Sequence, residues 1–224
     1  MLLKEAEKLL LLRRKRIGNK RSSTMPKIIW EGNKKDFGTY HDCDPIPENA
    51  VKLREAEGFI GKAVPYGIVP MMICMLVVFL KAFFNREPPI DPVFLVPAFL
   101  AGFIVAMPLH ELMHAVCYPR GATVWVGLCM RKLTAYAISY HPLGKGRFII
   151  MSLAPSLLGI IPLTIFIFTP ITLKPILTIC IICSFMGLIS PAPDYMDVVS
   201  VIRKAPRKAM IQDSPNGLYY YPDK

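Results

Sequence analysis

The chain has 224 residues, 53% of them hydrophobic and 19% charged, with a formal net charge of +11. A mean hydropathy of +0.41 excludes an ordinary soluble domain, and the long apolar middle excludes a disordered chain. A disulfide scaffold is excluded too, because the six cysteines fall mostly inside apolar runs and the one CxxC, Cys180 and Cys183, has no second pair to complete a zinc site.

The first 24 residues join a Leu-rich stretch to a cluster of Lys and Arg. They read either as a basic amphipathic helix on a membrane surface or as an extension ahead of a start at Met25. Residues 27–62 are polar and read as an extended cytosolic region with a strand at 27–30. A bilayer core about 30 Å thick needs about 20 apolar residues in a helix. Runs at 63–84, 92–118 and 148–169 meet that length, and a shorter one follows at 176–193. The third and fourth are joined by a tight turn at 170–175 and should form a helical hairpin. Between the second and third, Val124, Val126, Leu128 and Met130 alternate with a period of two, which predicts a β-hairpin over 123–140.

These elements describe an all-α membrane protein with four transmembrane helices, a small cytosolic β-hairpin and a short cytosolic N-terminal region. The expected division is 1–62 cytosolic, 63–200 the four-span membrane domain and 201–224 a cytosolic tail. Lys and Arg give the orientation. Residues 1–62 carry 14 of them, the 119–147 loop carries Arg120, Arg131, Lys132, Lys145 and Arg147, and the last span is followed by Arg203, Lys204, Arg207 and Lys208. The other two loops carry only Arg86 and Lys174. Four spans put every strongly basic segment, and both termini, on the cytosolic side. The same charge suits membrane lipid as a partner. No aromatic-interleaved basic module supports a nucleic-acid partner.

The second span contains His110-Glu111-Leu112-Met113-His114. Residues four apart share a helical face, so both imidazoles can bind one Zn²⁺ while Glu111 reaches a water beside it. A carboxylate inside a span is costly and is a functional candidate by default. A hydrolytic zinc site needs a third protein ligand, and the remaining histidines, His41 and His141, lie in loops. The second and fourth spans run in the same direction, which puts Asp194 at nearly the depth of His114. Asp197, one turn further on, is the alternative third ligand, or a group that holds a ligand histidine. Pro191 and Pro193 should break the fourth helix just before this acid, as a site that admits substrate requires. The edge of the 123–140 hairpin could hold an extended substrate segment.

Several stretches resemble a known family: IIWEG, PENAVKLREAE, HELMHAVCYPRGA, FIIMSLAPSLLGIIPL and PDYMDVVSVIRKAP, together covering most of 27–208. They resemble the bacterial putative zincin peptidases, and the HELMHA helix with the late Asp194 is similar to the site-2 intramembrane zinc proteases. The resemblance implies a zinc metalloprotease of the bacterial inner membrane. It also implies His110 and His114 as ligands, Glu111 as base and an Asp of the last span as third ligand. Site-2 proteases carry a Leu-Asp-Gly signature where this chain has Pro193-Asp194-Tyr195-Met196-Asp197-Val198. The departure leaves the choice between Asp194 and Asp197 open. The expected function is zinc-dependent hydrolysis of peptide bonds in membrane or membrane-proximal protein substrates near the cytosolic face. The alternative is a non-catalytic membrane binding protein with a structural metal site. A transporter is a third reading, disfavoured by four spans without a repeat.

Overall fold

The computed structural model describes residues 25–34, 41 and 43–222. Segment 1–24, and with it the amphipathic-helix expectation, lies outside the described residues.

Helix α1 (Phe59–Asn85) and helix α2 (Leu95–Val116, entered through a 3₁₀ turn at Pro92–Phe94) are apolar along almost their whole length. Helix α3 (Lys145–Leu153) runs through a 3₁₀ turn at Ala154–Ser156 into α4 (Leu157–Phe168). Helix α5 (Lys174–Ile189) returns beside α4 as the expected hairpin and meets α6 (Ala192–Lys204) at a 41° bend. Three helical stretches are long and apolar enough to cross a membrane, and the bent α5–α6 pair makes a fourth if taken as one span. Only 11% of the most apolar window of α1, and likewise of α2, is buried by protein. Those apolar faces need a nonaqueous surrounding.

Gly159 of α4 and Gly187 of α5 meet backbone to backbone, and a Cβ on either would overlap the other helix. This contact sets how closely the hairpin closes. The break between α5 and α6 falls at Pro191, which has no N–H and cannot continue the ladder. The Tyr195 hydroxyl braces the break by donating to the Leu188 carbonyl, 3.1 Å away, and lies 3.0 Å from Ser156 Oγ.

The all-α expectation is overturned, because the described residues include seven strands in two sheets. Strands β1 (Lys27–Asn33), β3 (Thr123–Cys129) and β4 (Thr134–Ile138) form one sheet in the order β1-β3-β4. β3 and β4 are the predicted antiparallel hairpin, and β1 joins β3 in parallel register, Ile28 opposite Val124. Strand β3 is therefore central, and β1 and β4 are the edges. The second sheet has the order β2-β7-β6-β5, from Val51–Glu55, Gly217–Pro222, Ala209–Ser214 and Leu143–Gly144. Its strands are short and partly polar, and their partners lie far apart in sequence, so no hydropathy window reveals them.

β2 leads into α1, β3 follows α2, β5 leads into α3 and β6 follows α6. Both sheets therefore gather at one end of the helices. At the other end, an ion pair at 2.9 Å between Glu87 and Lys174 ties the α1–α2 connection to the start of α5.

Candidate metal centre

His110 and His114 occupy the last two turns of α2, where the helix passes from the apolar bundle to the sheets. His114 is buried, and its Nδ1 lies 3.0 Å from the Met151 carbonyl of α3. A carbonyl only accepts, so Nδ1 carries the proton and Nε2 presents a lone pair. That lone pair faces His110 Nε2 at 3.2 Å, and Asp194 Oδ2 lies 3.5 Å from each of the two nitrogens. The bend at Pro191 aims the first turn of α6 at α2 and brings Asp194 to the pair. The three ligand atoms lie within 4.8 Å of one another.

The donor set fits a zinc ion. Tetrahedral bonds of about 2.0–2.1 Å place neighbouring ligand atoms about 3.3 Å apart, which is the spacing of this triangle. Two imidazole nitrogens aimed at each other beside a carboxylate repel unless a cation or a proton lies between them.

Asp197, the alternative from the sequence, is held elsewhere. Arg54 of β2 donates from Nε to both of its oxygens, at 2.8 and 3.0 Å. The guanidinium also lies over the Phe59 ring at 4.2 Å, with a terminal nitrogen 3.9 Å from Asp213 of β6. Asp197 thus anchors α6 to the second sheet and is not gathered with the histidine pair. His41 and His141 pair with other acids, Glu31 and Asp44, at 3.1 and 3.9 Å.

Glu111 lies beside Ala137 of edge strand β4, on the wall of a shared cavity. It therefore has a neighbour in the first sheet. The cavity, of about 370 Å³, joins Glu111 to His110, His114 and Asp194, and Arg54, Tyr118, Asp197 and Asp213 complete its far wall. Burial pushes the Tyr118 phenol well above its ordinary range, and the negative charge of Asp213 adds to the rise. Tyr118 stays a neutral donor, 3.4 Å from the Ser139 carbonyl. Burial also raises the Asp213 carboxyl, while Arg54 and the Ser214 N–H pull it down.

Residues 103–210 match the family model described as putative zincin peptidase. This part of the chain is similar to the putative zincin peptidases. A zincin family implies zinc as cofactor, and the match takes in His110, Glu111, His114 and Asp194. Comparisons with curated proteins and with solved structures returned no match. None of the comparisons matches a site-2 protease.

Arg54 lies outside the zincin match, and sequence reasoning missed it together with Tyr118 and Asp213. Arg54 carries no local signal, because its partners are 143 residues away at Asp197 and farther still at Asp213. Asp213 had an indirect one. Asn216-Gly217 followed by Leu-Tyr-Tyr-Tyr marks a hairpin turn and a strand, which would have placed Asp213 in the facing strand.

Proposed function

We propose that this chain is a membrane-embedded zinc peptidase that hydrolyses peptide bonds of membrane or membrane-proximal proteins. The sheet end of the helices is assigned to the cytosolic face of the bacterial inner membrane. The observation that carries the reading is the triangle of His110, His114 and Asp194 with Glu111 on the same cavity.

A zinc ion held by these three residues would polarise a peptide carbonyl and lower the pKa of a water to about 7. The Glu111 carboxylate takes a proton from the attacking water and returns it to the leaving amine. Ala137 of β4 packs beside that carboxylate on the cavity wall, and the Met151 carbonyl fixes the His114 ring through its Nδ1 proton. Edge strand β4 offers backbone groups beside Glu111 to an extended substrate. The basic flanks support the orientation, because strands β1 and β2, the 119–147 connection and the end of α6 all lie toward the sheet end.

Quantitative membrane proteomics of cells carrying the wild type or Glu111→Gln tests the reading. Full-length forms of specific membrane proteins should accumulate in the variant, with matching fragments only in the wild type. Identical proteomes would favour a binding protein with a structural metal.

A further inference from the structure

Two cavities meet at the proposed catalytic residues. The polar one is described above. The second, of about 490 Å³, runs between α2 and α5, with walls formed by Phe99, Phe103, Met107, Phe185, Met186 and Ile189. The two share His110, Glu111, Thr134 and Ser190. Apart from those four, every residue lining the second cavity is apolar. Its volume lies within the roughly 300–1,000 Å³ of ligand-binding sites.

A peptide bond placed against Glu111 lies at the junction, so a neighbouring side chain that points between α2 and α5 enters the apolar cavity. A charged side chain reaching past the four shared residues would lose its hydration with no polar partner. The wall can adjust. A Cβ on Gly102 would come 2.9 Å from Met186 Sδ, so the glycine lets this flexible side chain lean on α2. We infer that the apolar cavity receives an aromatic or long aliphatic side chain of the residue next to the cleaved bond. The inference rests on the peptidase reading and names the substrate feature that the site selects. Continuity with His110 and Glu111 favours a substrate side chain over a lipid chain as occupant.

The test uses the full zinc-loaded chain in phosphatidylethanolamine–phosphatidylglycerol vesicles with a randomised peptide library, cleavage sites being read by mass spectrometry. Phe, Leu, Ile or Met should exceed Ala and Gly by about 10-fold or more at one position flanking the cut, since single methylenes discriminate at that level. Ala106→Phe, which fills the cavity, should invert the preference, and Met186→Ala should widen it to Trp. Zinc content checks the fold of each variant. A second readout needs no turnover. Peptides carrying p-benzoylphenylalanine at each position in turn are photo-crosslinked to Glu111→Gln, and adducts should map to residues 99–107 or 182–189. Cleavage with no side-chain preference, a preference unchanged in both cavity variants, or adducts confined to other segments would overturn the inference. No cleavage of any peptide strikes the peptidase reading instead, and the adduct map still decides the occupant of the cavity.

Discussion

The bundle of α1 and α2 and the two sheets at its end are built on different terms. Along α1, Val64, Met72, Phe79 and Phe84 point away from the protein, as do Val96, Leu100 and Ile104 along α2. At the sheet end, Leu53, Val124, Val126, Leu143, Ile211 and Leu218 pack with Phe148, Met151 and Val201 into one core. The first region depends on its surroundings for apolar contact, while the second makes its own. The metal triangle lies on the seam. His110 and His114 end an exposed apolar helix, Asp194 begins a helix aimed by a proline break, Asp197 is held by Arg54 of the second sheet, and Glu111 lies beside Ala137 of the first. The comparison teaches that the helices bring the candidate ligands together and the sheets brace the end where they meet.

The largest expected effect separates chemistry from architecture. Glu111→Gln should lower peptidase turnover by about 10²–10⁴-fold, the usual size of a general acid–base contribution, with thermal unfolding in detergent within a few degrees of wild type. Loss of fold instead would place Glu111 in the architecture. Next is the tie between α6 and the second sheet. Arg54 and Asp197 side chains are 13% and 12% exposed, and removing one partner of a buried pair costs about 3–5 kcal/mol. Arg54→Ala should therefore unfold the sheet end at markedly lower denaturant, read by hydrogen exchange in β6 and β7. Exchange unchanged there would mean that the seam does not depend on this pair.

A smaller effect is expected at Gly217. Its φ is +133°, and a Cβ there would overlap the Arg54 carbonyl oxygen of β2. Gly217→Ala should cost about 1–3 kcal/mol, as strained backbone positions do, and should loosen β2 more than β6. The smallest concerns Lys145, whose Nζ donates to the Ala205 carbonyl at 2.6 Å and caps the end of α6. Lys145→Met should cost about 0.5–1.5 kcal/mol, the net value of one hydrogen bond, measured by chemical denaturation. A cost as large as that of Arg54→Ala would show that α6 is held chiefly by its cap.

The same seam divides what could be read from the sequence. The apolar runs at 63–84 and 92–118 are legible because a long helix that is apolar on every face needs no partner to define it. HExxH is legible because helical periodicity alone places His110 beside His114, and the alternation at 124–130 shows β3 without its neighbours. The second sheet is not legible in that way. Val51–Glu55 becomes a strand only because Gly217–Pro222 lies beside it, more than 160 residues later. Choosing between Asp194 and Asp197 needed the same information. Both acids lie early in the same helix, and only the position of Arg54 shows that Asp197 is already engaged.

The most direct test of the central claim is bound zinc per purified chain, measured by mass spectrometry of the metal in wild type, Asp194→Asn, Asp197→Asn and Glu111→Gln. The account predicts one zinc in the wild type, in Asp197→Asn and in Glu111→Gln, and its loss in Asp194→Asn. A wild type without zinc, or zinc kept by Asp194→Asn and lost by Asp197→Asn, would contradict it.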